Sequence, residues 1–209
     1  MLAGLFINFY TFLCLFLIIM GGCLYEFRKI IKLIKPTKYF GLLALSMPYI
    51  IIPILMMIEL GKKNHQQDLS LTNYSPVLPI AIILSIWIND SMAYLVGSFI
   101  GKTPFSKISP KKTWEGTVGG ALLCVVVMGI ITHFVSVFYC LPLRHWLAIA
   151  TICTVFGTLG DLLESKIKRT ANIKDSGSFM PGHGGFLDRF DSLLVATPFV
   201  WLYVQLFVR

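Results

Sequence analysis

The sequence predicts an all-α fold: a polytopic membrane helical bundle of about six transmembrane helices, with a polar region on the cytoplasmic side. Three observations carry that reading. Of 209 residues, 56% are hydrophobic and 13% charged, and the mean hydropathy is +0.77, so apolar surface exceeds what one small soluble core could hide. Apolar runs recur at about the 20 residues a helix needs to cross a bilayer. Between the runs, Lys and Arg concentrate in alternate connections, as they do when one side of a membrane protein faces the cytoplasm.

The runs fall at roughly 2–25, 39–58, 77–101, 117–141, 145–160 and 192–208. The first opens Met1-Leu2-Ala3-Gly4-Leu5-Phe6 without a positive n-region and continues past the length of a signal-peptide core, so it reads as a true span. The third carries Asn89 and Asp90 inside apolar sequence. The fifth is short by itself, and its helix is expected to run on through Asp161. The sixth is expected to begin earlier, near Leu187. No linker, internal repeat or low-complexity tract divides the chain. Residues 1–209 are read as a single integral membrane domain, with N-terminal spans over 1–76 and a catalytic core over 77–209.

Counting cations on alternate sides of six spans places 14 of the 18 Lys and Arg residues together, from Arg28 to Lys38, Lys102 to Lys112 and Lys166 to Arg189. The positive-inside rule puts that side in the cytoplasm and both termini outside. A formal net charge of +8 then reflects span flanks and contact with anionic head groups, not binding to a nucleic acid polymer. Tyr25-Glu26-Phe27-Arg28-Lys29 reads as a basic interfacial stretch of this kind. The five cysteines lie in apolar runs without a C-x-x-C pair, which supports neither a disulfide framework nor a zinc site. His65, His133 and His145 read as structural.

Polar chemistry concentrates between Asp161 and Asp191, where five acidic and five basic residues interrupt an otherwise apolar protein. In Gly160-Asp161-Leu162-Leu163-Glu164-Ser165-Lys166-Ile167-Lys168-Arg169, helical spacing puts Asp161, Ser165 and Lys168 on one face. Lys174-Asp175-Ser176-Gly177 and Pro181-Gly182-His183-Gly184-Gly185 follow. Glycines there permit close ligand approach, and such a loop can offer N–H groups to phosphate. Asp188, Arg189 and Asp191 lie at the start of the last helix. Hard divalent cations bind through one or two carboxylates plus substrate phosphates, which makes Asp161 and Asp188 the natural ligands for magnesium, with or without a second cation. Charge alone fits a salt-bridged surface loop equally well; the glycine and histidine run favours the phosphate reading. His183 has the flanking glycines and nearby acids to bind phosphate or tune metal-bound water.

Upstream, Asp90 inside a span costs about 2.5–3.5 kcal/mol on insertion scales, so it should face a polar cavity with Asn89 or find a partner. Gly97 and Gly101 form a G-x-x-x-G pair suited to helix packing. Gly101-Lys102-Thr103 fails as a P-loop in both spacing and context. Ser109-Pro110-Lys111-Lys112-Thr113-Trp114-Glu115-Gly116 joins two spans on the cytoplasmic side. Its Lys111, Lys112 and Thr113 can meet a phosphate at the membrane surface, and Glu115 belongs to the same candidate set.

From Ser165 to Asp191 the sequence SKIKRTANIKDSGSFMPGHGGFLDRFD resembles the C-terminal signature of bacterial phosphatidate cytidylyltransferases, the CDP-diacylglycerol synthase family, through K-R, K-D, P-G-H-G-G and D-R-x-D. Met180 stands where the family usually has Ile or Leu. Asn89-Asp90-Ser91-Met92-Ala93-Tyr94 and the Ser109 to Gly116 segment are similar to its middle motifs in order and spacing, so the resemblance covers about 85–191. The N-terminal third is similar only in being apolar, and the chain is shorter than typical bacterial members, which predicts that early spans are absent. The resemblance implies an integral enzyme of the bacterial inner membrane, a nucleotidyltransferase of phospholipid biosynthesis. CTP and phosphatidic acid would give CDP-diacylglycerol and pyrophosphate, and a homodimer is implied by the family only.

On that reading Asp161 and Asp188 hold magnesium with Ser165 beside them. Lys168, Arg169, Lys174 and Arg189 bind triphosphate charge, and Asp175 and Asp191 orient these groups. Two other readings stay open: a related CTP-dependent transferase acting on an isoprenoid phosphate or alcohol, and an ion-coupled transporter with Asp90 as the coupling charge. Asp161→Asn or Asp188→Asn is expected to abolish turnover in a labelled-CTP assay without preventing membrane insertion. Near-normal turnover from either variant removes that residue from the metal site.

Overall fold

The computed structural model describes residues 8–36, 39–62, 74–106, 108–177 and 184–208. Among them the chain is helical, with α1 (Phe9–Ile34), α2 (Tyr39–Leu43), α3 (Ile52–Leu60), α4 (Val77–Ile100), α5 (Trp114–Phe134), α6 (Leu143–Thr170) and α7 (Leu187–Phe207). A π-helical turn, Met47–Ile51, joins α2 to α3, and Pro48 and Pro53 each sit in the first positions of their helical segments, where a missing N–H is tolerated. Counting Phe40–Leu60 as one unit, six helices are long and apolar enough to cross a membrane, which makes this an integral membrane protein. Isolated backbone bridges pair Lys62 with Tyr74 and Pro104 with Thr113, and the second ties the ends of the α4–α5 connection together.

The observed helices shift several sequence-based boundaries. The first span, expected over 2–25, is helical over Phe9–Ile34, because Asn8 and Thr11 form a capping box and no breaker intervenes before Lys35 and Pro36. Residues 25–29 therefore lie on the same helix as the first span. The fourth span, expected over 117–141, starts three residues earlier at the Thr113 cap and stops at Phe134. A 3-10 turn, Ser136–Cys140, follows, held by the Trp146 indole N–H donating to the Phe138 carbonyl at 2.9 Å. The fifth helix does run on past Asp161, to Thr170, and the sixth does begin at Leu187. His65 lies outside the described residues. His145 is buried with its Nδ1 3.0 Å from the Tyr203 hydroxyl, in keeping with a structural role.

Large side chains fill the centre, among them Phe12, Phe16, Ile54, Met57, Trp146 and Ile149. At the end opposite the polar cluster, Glu59 accepts from the Trp201 indole at 2.9 Å and the Gln205 amide at 3.0 Å, which satisfies a carboxylate in apolar surroundings. Small residues set how closely helices approach. On α4 and α5 the backbones meet at Ala93 and Gly97 against Gly116 and Gly120: a Cβ on Gly120 would lie 2.6 Å from the Ala93 Cα, and one on Gly116 would lie 2.9 Å from the Gly97 Cα. Gly97 is thus a packing glycine.

These contacts predict a contrast. Gly120→Ala should cost about 1–3 kcal/mol through overpacking against backbone, whereas Gly21→Ala, where nothing lies within 4 Å, should be neutral or stabilising by up to about 1 kcal/mol. Thermal midpoints of the two variants in detergent check it; equal midpoints would refute the packing argument.

Candidate active site

The polar site is assembled at one end of the bundle from the last turns of α1 and α4, the α4–α5 connection, the C-terminal half of α6 and the first turns of α7. The connection is shaped by its own sequence. Thr113 is the N-cap of α5, its hydroxyl accepting from the Gly116 N–H at 3.2 Å. The Glu115 carboxylate accepts from the N–H groups of Lys102 and Thr103 at 3.1–3.2 Å. With Phe105 N–H donating to the Lys112 carbonyl at 2.7 Å, this folds the segment back on itself and directs Lys112 inward. Glu115 therefore organises the connection; it is Asn89, Asp90, Lys111, Lys112 and Thr113 that line a cleft of about 420 Å³, together with Asp161.

Lys112 and Asp161 form an ion pair across that cleft, joining two residues 49 positions apart. Burial in the cleft wall lowers the pKa of the Lys112 ammonium from its ordinary value, against the opposing pull of Asp90 and Asp191. Asn89 is buried, and its side-chain carbonyl oxygen finds no donor among the described residues. A buried orphan acceptor at the wall of a polar cleft is a group held ready for a ligand donor.

Behind Asp161 lies a second group. A Cβ on Gly160 would stand 2.6 Å from the Asp191 carbonyl oxygen, so glycine at that position lets α6 and α7 approach closely. Asp161, Glu164 and Asp191 consequently each offer a carboxylate oxygen, all within 4.8 Å of one another. Ser165 lies alongside, its hydroxyl 3.4 Å from Asp161 Oδ1. Each like-charged pair at that separation repels by on the order of 3 kcal/mol at an effective dielectric of 20. Lys168 offsets part of the charge, contacting Glu164 at 2.7 Å and Asp188 at 2.5 Å. The other oxygen of Glu164 is buried with no donor among the described residues. Clustered hard oxygens with one left unsatisfied fit a divalent cation.

Both oxygens of Asp188 meet protein donors. One oxygen takes Lys168, and the other accepts from the N–H groups of Ser176 at 2.9 Å and Gly185 at 2.8 Å. Gly184 sits beside it at φ +81°, and a Cβ there would lie 2.6 Å from the same carboxylate, so the position calls for glycine on both counts. The carboxylates that converge with Asp161 are those of Glu164 and Asp191. Glu164 was not singled out in the sequence, although it lies three residues after Asp161 on a helix and so shares its face.

The α6 helix ends in a Schellman turn. Ile173 and Asn172 N–H groups donate to the Lys168 and Arg169 carbonyls, and Asn172 adopts φ +55°. The Arg169 guanidinium donates to the Ile173 carbonyl at 3.1 Å and so braces this turn. Arg169, Lys174, Asp175 and Arg189 are exposed on the rim. His183 lies outside the described residues. Glu26, 4% exposed on α1, was missed in the sequence, where it reads as one charge in a basic stretch. Its carboxylate accepts from the Ser176 hydroxyl at 2.6 Å and from the N–H groups of Phe186 and Leu187, each at 2.9 Å. The one available signal was an acid at helical spacing among apolar residues of a span.

A family model described as "Cytidylyltransferase family" matches residues 1–207, which extends the resemblance over the N-terminal third. The phosphatidate cytidylyltransferase of Bacillus subtilis (strain 168) is 45% identical over 123 residues, 58% of this chain and 45% of that protein. That of Staphylococcus haemolyticus (strain JCSC1435) is 44% identical over 118 residues, 55% of this chain and 44% of that protein. Phosphatidate cytidylyltransferase 4, chloroplastic, of Arabidopsis thaliana is 41% identical over 118 residues, 56% of this chain and 29% of that protein. The matched stretch thus spans less than half the length of each of these relatives.

If Glu115 fixes the α4–α5 connection, Glu115→Ala should raise amide hydrogen exchange at Lys102 and Thr103 about tenfold, the loss of one hydrogen bond's protection. Exchange within α6 should stay at its wild-type rate. Unchanged exchange at 102 and 103 would assign the folding of the connection to its backbone bridge alone.

Proposed function

We propose, from the premise that this chain belongs to the cytidylyltransferase family, that it joins CTP to phosphatidic acid, giving CDP-diacylglycerol and pyrophosphate. The observation that carries the proposal is the junction at Asp161. On one side of it a cleft lined by Lys111 and Lys112 offers cations to phosphate. On the other, Glu164 and Asp191 complete an oxygen cluster that suits a cation bound to a triphosphate. The names of the matched relatives support the substrate pair. Their bacterial origin and the basic bias of the sequence support a site on the cytoplasmic face of a bacterial inner membrane.

In this reading an oxygen of the phosphatidate phosphate attacks the α-phosphorus of CTP. The bond from that phosphorus to the bridging oxygen of the β-phosphate breaks, and pyrophosphate leaves with the electron pair. The nucleophile is already anionic, so positioning and charge neutralisation do most of the work and no strong base is required. Lys112 and Lys111 would hold lipid phosphate at the cleft, with the acyl chains remaining among the apolar faces of α4 and α5. Lys168 would sit beside the departing phosphates, and Arg169, Lys174 and Arg189 on the rim would attract CTP from water. Asp161, Glu164 and Asp191 would hold magnesium, with Asp188 fixing Lys168 next to them. When bound, magnesium supplies positive charge that offsets the phosphate oxygens.

The test is pyrophosphate release by the purified full chain in detergent micelles. Release is expected only when CTP, phosphatidate and magnesium are all present, and Lys112→Met should lower it by about 100-fold or more. Equal release with an isoprenoid phosphate in place of phosphatidate would move the assignment to another lipid substrate. No release with all three present, under conditions where the Bacillus subtilis relative is active, would overturn it for this chain.

A further inference from the structure

The second group of contacts around α7 does not belong to the cleft, and it begins on a helix far away in sequence. The first N–H groups of any helix lack intrahelical partners, and a side chain at the N-cap usually meets them. The N-cap of α7 is Phe186, which has no oxygen to offer. The carboxylate of Glu26 takes that place from α1, 160 residues away, accepting from Phe186 and Leu187 N–H at 2.9 Å each. A negative group there also meets the positive end of the helix dipole.

The same carboxylate accepts from the Ser176 hydroxyl at 2.6 Å. Ser176 in turn donates its backbone N–H to Asp188 at 2.9 Å, and Gly185 donates to the same Asp188 oxygen at 2.8 Å. Two carboxylates therefore grip the backbone at Ser176 and at Gly185 to Leu187 from opposite sides. Side chains at Gly177 and Gly185 would each collide with Glu26, so glycine at both positions leaves the space the carboxylate fills. Among the described residues no cation pairs with Glu26; its charge is met by donors alone.

We infer that Glu26 is a positioning residue: by capping α7 and tying Ser176 to it, Glu26 sets Asp188 and Asp191 where they meet Lys168 and the acids of α6. Glu26 touches none of the proposed reacting atoms. Its effect on turnover rests on the cytidylyltransferase reading, whereas its effect on the backbone does not, and the two are measured separately.

Glu26→Gln keeps the shape but replaces one acceptor oxygen with an N–H₂ group that faces donors. Hydrogen exchange in peptides covering 184–191 of the full chain should accelerate about tenfold. Over the α3–α7 contact at Glu59 and Trp201 it should not change. In the pyrophosphate assay kcat should fall about tenfold or more, while KM for phosphatidate, served by the cleft of α4 and α5, stays within about twofold. A residue with a merely structural role would not split the two constants in this way. Ser176→Ala removes one of the three bonds and should shift both readouts in the same direction by less. The pair is expected to be non-additive in the double variant. Where Glu26→Gln does not yield folded protein, Ser176→Ala decides the matter by the same measures. Wild-type exchange at 184–191 in a folded variant would overturn the inference. Wild-type chain that releases no pyrophosphate would overturn the assigned activity and leave the exchange result to judge Glu26.

Discussion

A carboxylate cannot be left bare in an apolar bundle, and the architecture of this protein follows from how each one is answered. Glu59 is met by an indole and an amide, Glu26 by a hydroxyl and two backbone N–H groups, and Asp188 by Lys168 and two more N–H groups. Asp161 pairs with Lys112. Those are complete. Glu164 and Asp191 share their surroundings with Asp161, and Glu164 retains an oxygen without a donor among the described residues, so the incomplete place in the polar network coincides with the place where three acids converge. Stability is concentrated around the site, and the unmet demand is left inside it.

Close helix approach is what allows these groups to meet. Gly160 lets α6 press on α7 directly beside Asp161, and Gly116 and Gly120 let α5 press on α4 directly behind Thr113. In lipid there is little hydrophobic drive between helices, and small residues at the contact gain dispersion energy by bringing backbones together. The glycines before Asp161 and after Thr113 thus do two things at once. They hold the bundle, and they set the distance across which Lys112 reaches Asp161.

The site has apolar surroundings on some helices and exposed cations on others. The cleft is lined by residues of α4, α5 and α6, and α4 and α5 also expose Phe99, Trp114 and Leu122. The cations Arg169, Lys174 and Arg189 are exposed near the end of α6 and the start of α7.

The sequence by itself determined the membrane class, six spans, the polar segment from Asp161 to Asp191 and the middle motif around Lys112. These are legible because hydropathy, the period of a helix and the spacing of charges are local properties. Asn89, Asp90, Lys111, Lys112 and Thr113 stand out in the sequence as candidates separate from Asp161, and only in three dimensions do they line one cleft with it. Glu164 was within reach of helical periodicity and was outweighed by the more conspicuous Asp188. Glu26 was not: its partners lie 150 to 161 residues away, and its role depends on the rotation of α1 and on the space left by Gly177 and Gly185. Tertiary structure decided which acids face one another and which face backbone donors. Those choices depend on how helices rotate and how closely they pack, and no local pattern of residues encodes either.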